Sequence, residues 1–207
     1  QGAGLILHYN SAEVDAQKLA QEIKNAGGTA AIVQGNLAQA DVAYNLVDKA
    51  LCHTGQIDIL INNAAIFDEI GFEDITGDAI NKNMNINAVA PLMLSRRFAE
   101  QKIPGVIINM VDTMVMDYDK KHVPYHLSKR ALHALTKMMA VEFAPDIRVN
   151  AVAPGLILPP PGKDEAYLER LIHSNPLNRH GGPEDIVRAV LYLIDAEFVT
   201  GQTLYVD

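Results

Sequence analysis

Residues 106–112 are Val-Ile-Ile-Asn-Met-Val-Asp, and after a loop residues 124–129 are Pro-Tyr-His-Leu-Ser-Lys. The first run is rich in β-branched residues and follows a Pro-Gly break, so it predicts a buried strand from Val106 to Val111. From Tyr125 to Phe143 the apolar residues recur at helical spacing, which predicts a helix that ends before Pro145.

Tyr125 and Lys129 are four residues apart, so they share one face of that helix. A nearby ammonium favours the phenolate and would lower the pKa of the tyrosine, which makes the pair useful for acid–base chemistry. On its own such a pair is a weak signal, because it also occurs on solvated helix faces. Asp112 strengthens the case, because it follows the predicted strand at the edge where open α/β sheets bind ligands.

The same alternation of strands and helices runs along the whole chain. The predicted strands are Leu5–Tyr9, Ala30–Gln34, Ile57–Asn62, Val106–Val111, Ile147–Val152 and Thr203–Val206. The predicted helices are Ala12–Ala26 with Ser11 as N-cap, Ala38–Thr54, Asp78–Gln101, Tyr125–Phe143, Asp164–Ser174 and Glu184–Ala196. This order predicts one domain over residues 1–207, with a parallel sheet covered by helices on both faces.

Three motifs together resemble the short-chain dehydrogenase/reductase family: Asn109-Met110-Val111-Asp112, Tyr125-x-x-x-Lys129, and the run from Arg148 to Gly155. Most members have serine where this chain has Asp112. The aspartate resembles the pteridine reductase branch and its bacterial relatives, the dihydromonapterin reductases. The resemblance implies a Rossmann-like, doubly wound, three-layer αβα fold. It also implies a first strand and glycine-rich loop about 20 residues long before Gln1, which lies in what looks like the end of a preceding helix.

The resemblance implies NADPH as the cofactor. In this fold an acidic residue at the end of the second strand selects NAD, but here that strand ends His8-Tyr9-Asn10-Ser11, without a carboxylate to repel a 2′-phosphate. Asn36 and Leu37 match positions beside the adenine. The expected cofactor contacts further along the chain are Asn63, Ala64, Ala65, Tyr125, Lys129, Pro154, Gly155 and Leu156.

On the substrate side, Phe67 matches the aromatic residue on which a pterin stacks in the resembled branch, although packing under the loop is an equal alternative. Leu158 opens a proline-rich loop, Leu158 to Lys163, that is expected to border the substrate. Asn87 matches the helix asparagine that relays water to the catalytic lysine.

Composition excludes several classes of protein. The 17 basic and 25 acidic side chains give a net charge of −8, which argues against a nucleic-acid partner. The sequence contains no apolar run long enough for a membrane span, and the single cysteine, Cys52, is consistent with a reducing compartment, so a cytoplasmic location is expected. No metal site is predicted, and His122 and His126 are expected to be solvated helix residues.

These observations lead to a mechanistic hypothesis. NADPH would reduce a dihydropterin (dihydrobiopterin, dihydromonapterin or dihydrofolate) to the tetrahydro form, with Asp112 and Tyr125 passing the proton, Lys129 orienting the nicotinamide ribose and Asn87 holding the relay. A carboxylate beside the phenol would raise both pKa values, which suits proton donation. The alternatives are a carbonyl reductase of the same family and a cofactor-binding protein without activity. The long helices 78–101 and 125–143 suggest a homotetramer, because relatives use them as interfaces.

Overall fold

The computed structural model describes residues 2–160 and 162–207. Gln1, in the predicted lead-in to the first strand, and Pro161, in the predicted proline-rich loop, lie outside the described residues. The strands are β1 (Leu5–Tyr9), β2 (Ala30–Gln34), β3 (Ile59–Asn62), β4 (Gly105–Met110), β5 (Ile147–Pro154) and β6 (Thr203–Val206). The helices are α1 (Glu13–Asn25), α2 (Ala40–Thr54), α3 (Gly77–Met84), α4 (Ala90–Ala99), α5 (Val123–Glu142), α6 (Glu165–Glu169) and α7 (Pro183–Asp195).

All strand pairs are parallel, and they form two hydrogen-bonded sheets. β1 pairs with β2, and β3, β4, β5 and β6 pair in that order. In the described part of the chain no ladder joins β1 to β3, and Leu5, Ile59 and Ile61 on these two strands are exposed. The parallel, doubly wound α/β fold predicted from the alternating pattern is confirmed.

Successive residues of β4 point to opposite faces of the sheet, and each face is covered by helices. Ile107 packs with Phe98 of α4 and Met139 of α5. Its neighbours Val106 and Ile108 pack on the other face, against helix α7. Because both faces are covered, β4 has a continuous apolar sequence instead of the alternating one of a half-exposed strand.

The predicted helix from Asp78 to Gln101 is interrupted. It consists of α3, a π-helical turn over Asn85–Val89, and α4. Pro91 explains the break, because it has no N–H to donate to the carbonyl four residues earlier. In the π turn the backbone bonds span five residues instead of four, so the turn holds one residue more than an α-helical turn. Such turns are frequent at functional sites.

Three other boundaries differ from the prediction. Helix α1 has Ala12 as its N-cap residue with no side-chain cap, so the assignment of Ser11 as N-cap was wrong. The predicted helix from Asp164 to Ser174 is only α6 followed by a 3₁₀ turn at Ile172–Ser174. Helix α5 begins two residues before Tyr125, with Pro124 in its first turn. None of the described helices combines the length and the apolar composition needed to cross a membrane.

Candidate active site

The carboxyl end of β4 positions Asp112. The chain leaves the strand at Met110 and turns into a short 3₁₀ helix, Thr113–Val115, for which Asp112 is the N-cap. Its Oδ1 accepts a hydrogen bond from the backbone N of Met114 at 2.8 Å, a typical capping contact. Its Oδ2 accepts one from the hydroxyl of Tyr125 at 2.8 Å. The predicted pairing of the acid with the phenol is therefore present in the structure.

Lys129 lies one turn after Tyr125 on α5, with its chain buried. Its Nζ donates to the backbone carbonyl of Met110 at 2.6 Å and lies 5.7 Å from the centroid of the Tyr125 ring. Burial lowers the pKa of this ammonium to about 8, and the charge of Asp112 partly opposes that effect. The lysine is thus held between the end of β4 and the face of the tyrosine.

The protonation of Tyr125 follows from its surroundings. Burial raises the pKa of this phenol, and the charge of Asp112, the hydrogen bond to Asp112 and the charge of Asp119 raise it further. The pKa of Tyr125 is therefore raised, contrary to the prediction that Lys129 lowers it, because burial and the two acids raise it while the lysine ammonium bonds to a carbonyl. The prediction that a carboxylate at position 112 raises the pKa of the tyrosine agrees with this environment.

Asn87 lies in the π turn and is fully buried. Its amide donates to the carbonyl of Ile66 at 3.0 Å and to the hydroxyl of Ser128 at 3.0 Å, and its Oδ1 accepts from the N of Ile66 at 2.9 Å. The side chain therefore ties the segment after β3 to helix α5. It contacts Ser128, the neighbour of Lys129, instead of contacting the lysine itself.

Phe67 follows the segment that Asn87 holds. Its ring stacks on the imidazole of His122 with centroids 3.9 Å apart, and meets the ring of Tyr125 edge-on at 4.6 Å. The side chain remains 43% exposed, so part of the ring is open to solvent beside the phenol. Two further contacts hold this loop: Asp68 accepts from Lys82 at 3.0 Å, and the carbonyl of Ile70 accepts from the N of Val123.

A cluster that the sequence analysis missed lies beside these rings. Asp119 contacts both His122 and His126, with Oδ2 at 2.9 Å from Nδ1 of the first and 2.9 Å from Nε2 of the second. His126 is only 2% exposed, so the expectation of two solvated histidines was wrong. The signal was in the sequence as Asp119-x-x-His122-x-x-x-His126, whose two histidines are one helical turn apart.

The hydrogen bonds of the Asp119 cluster also affect its charge. Desolvation acts to raise the pKa of Asp119, but the hydrogen bonds from His126, from the backbone N of Lys121 and from His122 outweigh it and lower the pKa to about 2. The carboxylate is therefore ionised at neutral pH. Its charge is one of the causes that keep Tyr125 protonated.

The residues predicted to contact a cofactor around β1 and β2 make fewer contacts. His8 Nε2 lies 2.8 Å from the carbonyl of Gly35, and Asn36 Oδ1 accepts from the N of Ala38 at 3.0 Å. Leu37 is buried in an apolar cluster with Ala43, and its contact with a cofactor stays a prediction. Tyr9 is the last residue of β1, and Asn10 and Ser11 follow it, as predicted. Both of these following residues are exposed.

The remaining predicted residues lie at the carboxyl ends of β3 and β5. Asn63, Ala64 and Ala65 are exposed directly after β3. Pro154 ends β5, and Gly155 donates its N–H to the carbonyl of Val206. A Cβ on Gly155 would lie 2.1 Å from the carboxyl group of Asp207, so a larger residue there would require the side chain of Asp207 to move.

Leu156 and Leu158 follow Gly155. Leu156 is partly buried, and its carbonyl accepts from the N of Gly181 at 3.0 Å. Leu158 is 65% exposed. Residues Leu158 to Pro160 of the predicted substrate-bordering loop are thus open to solvent or half-buried, and no contact joins Leu158 to Asp112 or Tyr125 in the described hydrogen bonds and aromatic pairs.

Comparisons with known proteins show the family of this chain. The family profile described as "Enoyl-(Acyl carrier protein) reductase" matches residues 1–207. The chain is 33% identical over 221 residues to 3beta-hydroxysteroid dehydrogenase 1 of Eggerthella lenta, covering all of this chain and 84% of that protein.

Two solved structures superpose closely. FolM Alternative dihydrofolate reductase 1 from Brucella canis, complexed with NADP, has a TM-score of 0.91 and 29% identity, with 100% of this chain and 83% of that chain covered. LugOII is described as a promiscuous reductase that catalyses keto-reduction at C1 during lugdunomycin biosynthesis. It has a TM-score of 0.89 and 30% identity, with 99% of this chain and 86% of that chain covered.

Proposed function

Since this chain belongs to the short-chain dehydrogenase/reductase family of oxidoreductases, we propose that it uses NADPH to reduce a dihydropterin to its tetrahydro form. One hydride goes to a ring carbon and one proton to the adjacent nitrogen, so a C=N bond becomes CH–NH while NADPH becomes NADP⁺. The solved relative from Brucella canis, named an alternative dihydrofolate reductase and complexed with NADP, supports both the cofactor and the substrate class.

One observation carries the proposal: the hydroxyl of Tyr125 lies 2.8 Å from Asp112 Oδ2 at the ligand edge of the sheet. In alcohol oxidation the tyrosine must act as a base, and a neighbouring carboxylate makes the phenolate unfavourable. The raised pKa of Tyr125 instead keeps a proton on the pair at neutral pH. A ring nitrogen whose neighbouring carbon receives a hydride becomes strongly basic, and it can take that proton.

The residues around the pair fit NADPH. When bound, NADPH supplies the hydride. The end of β1 offers Asn10 and Ser11, both exposed and uncharged, so a 2′-phosphate meets no carboxylate there. Lys129 would hold the nicotinamide ribose, and Gly155 and Leu156 would lie along the nicotinamide. Tyr125 and Asp112 then hold and transfer the proton.

Phe67 would orient the pterin. One side of its ring stacks on His122, and its exposed part borders Tyr125, which leaves a phenyl surface for a flat heterocycle next to the proton donor. The loop of Phe67 is held by Asn87, Asp68 and Ile70, so this surface is preorganised and the substrate need not order it. Leu158 would close the site from the opposite loop.

The relatives support a second candidate, which is reduction of a ketone. The dehydrogenase of Eggerthella lenta is named for a hydroxysteroid, and the structure of LugOII is described by a keto-reduction. In that reaction the alkoxide takes the proton from Tyr125, and Asp112 substitutes for the serine of most relatives.

The test compares wild type with Asp112→Asn, which removes the charge and keeps the shape. Turnover of dihydrobiopterin, dihydromonapterin, dihydrofolate and a ketone panel is followed through consumption of NADPH. Asp117→Asn is the control, because Asp117 is an exposed acid on the same loop.

We expect turnover of at least one pterin, a loss of about 10²–10⁴ in its kcat for Asp112→Asn, and no change for the control. No turnover of any pterin, or full activity of Asp112→Asn, would contradict the proposal. Turnover of ketones alone would establish the second candidate.

We also propose that the protein assembles as a homotetramer through the face of α5 that is open in the single chain. Leu127, Met138 and Val141 are exposed on this helix, which supports an apolar contact surface. Light scattering coupled to gel filtration measures the mass directly, and a monomeric mass at micromolar concentration would contradict this assembly.

A further inference from the structure

The cluster of Asp119, His122 and His126 supplies no group that donates or accepts the transferred proton in the proposed function. Asp119 Oδ2 lies 2.9 Å from His122 Nδ1 and 2.9 Å from His126 Nε2, and one potential ligand atom of each residue lies within 4.8 Å of those of the other two. Two imidazole nitrogens and one carboxylate oxygen gathered in this way are of the types that serve as ligands of transition-metal ions.

The chain builds this arrangement locally. Asp119 Oδ1 accepts hydrogen bonds from the backbone N of Lys121 at 2.6 Å and of His122 at 3.1 Å, which fixes the carboxylate just before α5. Oδ2 is thereby left to face the two rings. His122 is the N-cap residue of α5 and His126 lies one turn later, so both side chains reach the same side of the helix.

Each imidazole is held from a second direction. The ring of His122 stacks on Phe67 at 3.9 Å, which fixes its plane. The side chain of His126 is buried, with 2% of its surface exposed. Its ring packs edge-on against the ring of Tyr125, with centroids 5.4 Å apart. Both rings are therefore oriented by packing as well as by the carboxylate, and orientation of ligands by their surroundings is what a metal site requires.

The two contacts of Asp119 Oδ2 with the rings are close to the ligand spacing of a small divalent ion, and the two ring nitrogens lie within 4.8 Å of each other. Tetrahedral Zn²⁺ with bonds of about 2.0–2.1 Å holds its ligand atoms about 3.3 Å apart. The two contacts of 2.9 Å would have to widen by about 0.4 Å, which a small tilt of the partly exposed carboxylate that leaves Oδ1 on its backbone donors can supply. Two lysines, Lys120 and Lys121, lie between Asp119 and His122 in the sequence. Lys121 lies 3.6 Å from the carboxylate of Glu69, and this exposed pair reduces its repulsion of a cation.

We propose that Asp119, His122 and His126 bind one divalent transition-metal ion, with Zn²⁺ as the best match. Two imidazoles and one carboxylate favour zinc, cobalt, nickel or copper over magnesium and calcium, which prefer oxygen ligands. The ion replaces the two hydrogen bonds to Oδ2 and fastens the loop that precedes α5 to its first turn.

The affinity of this site depends on the hydrogen bonds made by the ring nitrogens that do not bind the metal. Histidine ligands of tight sites donate their other N–H to an acceptor, but His126 Nδ1 has no hydrogen-bond partner in the described part of the chain. That missing contact reduces the affinity, so the expected dissociation constant is micromolar. The site does not depend on the identity of the substrate.

The experiment titrates chelator-treated full chain with Zn²⁺ by calorimetry and with Co²⁺ by visible absorption, which reports coordination by nitrogen and oxygen. His122→Phe removes one ligand and preserves the stack on Phe67, and Asp119→Asn removes the charged ligand without a change of shape. His133→Phe is the matched control, because it makes the same exchange on the same helix outside the cluster.

We expect one equivalent of Zn²⁺ to bind wild type and His133→Phe, with the dissociation constant raised at least tenfold in His122→Phe and Asp119→Asn. Zn²⁺ should also raise the thermal midpoint of wild type and His133→Phe but not of His122→Phe, because binding to the native state stabilises it. No binding to wild type, or equal binding to His122→Phe, would overturn the proposal. The thermal midpoint of His122→Phe before addition of metal checks that this variant is folded like wild type.

Discussion

Polar side chains differ in burial and hydrogen bonding between the two sheets of the molecule. In the four-stranded sheet two asparagines are buried and joined by hydrogen bonds: Asn62 of β3 donates to Asn109 of β4 at 2.8 Å, and Asn109 donates to Thr136 of α5 at 2.9 Å. Beside the two-stranded sheet, Asn10 and Ser11 are exposed. The first region is therefore assembled before any ligand arrives, whereas the second offers polar groups to solvent.

The difference has an energetic consequence. A buried polar group that loses its partner costs about 1–3 kcal/mol, whereas an exposed one finds water instead. Substitution of the buried Asn62 or Asn109 should therefore lower stability. Substitutions at the end of β1 should change only the affinity for a ligand.

The largest effect is expected for Tyr125→Phe. The phenyl ring can preserve the edge contact with Phe67, but the hydroxyl that faces Asp112 is lost. Because removal of a proton donor costs about 10²–10⁴ in rate, kcat for a dihydropterin should fall by that factor while the thermal midpoint changes little. Steady-state kinetics and thermal unfolding measure the two quantities. A variant that retains more than about a tenth of the activity would show that the proton comes from elsewhere.

The next effect concerns Asn87, which makes three hydrogen bonds to Ile66 and Ser128. Asn87→Ala leaves buried groups without partners, so the free energy of unfolding should fall by about 2–4 kcal/mol. Asn85→Ala is the control, because Asn85 is exposed in the same π turn. Urea unfolding should show a change within about 0.5 kcal/mol for the control. Equal effects of the two variants would mean that the turn itself, and not the bonds of Asn87, carries the stability.

Much of the four-stranded region could be predicted from the sequence because its signals are local. β-Branched runs mark the strands, and the spacing of Tyr125 and Lys129 places both side chains on one face of α5. Asp112 could be placed at the ligand edge because it directly follows a strand. These inferences need only the period of each element and the direction of parallel strands.

What the sequence analysis missed depends on contacts between distant segments. The hydrogen bond of Lys129 to Met110, and not to the phenol, follows from how α5 packs on β4. Likewise, the burial of His126 depends on the loop that contains Asp119, and the interruption of the helix at Asn85–Val89 depends on the proline that follows it. Periodicity reports which face a residue occupies, but not which partner it meets there.

The exposed region is tested by Asn10→Asp, which places a carboxylate at the end of β1. Repulsion of the 2′-phosphate should raise the dissociation constant of NADPH about tenfold, while that of NADH and the stability stay unchanged. Cofactor fluorescence and thermal unfolding are the measurements. Asn25→Asp, an exposed position at the end of α1, controls for the added charge. Equal loss of NADPH and NADH affinity would show that position 10 does not face the 2′-phosphate.

The smallest effect is a shift in pH dependence. The pKa of Lys129 is lowered to about 8, so its ammonium loses its proton as the pH rises through that value. Because the ammonium is the proposed contact to the nicotinamide ribose, the affinity for NADPH should be highest below pH 8 and should decrease above it. Binding of NADPH measured by fluorescence across this range should show the decrease.

Asp112→Asn sharpens this test because it connects the two halves of the buried site. The charge of Asp112 raises the pKa of Lys129 against the effect of burial, so its removal should move the inflection to lower pH. Asp117→Asn, on the exposed part of the same loop, should leave the inflection in place. An inflection that did not move in Asp112→Asn would mean that burial alone sets the charge of the lysine. The acid and the amine would then act independently, although both are held within hydrogen-bonding or ring contact of Tyr125.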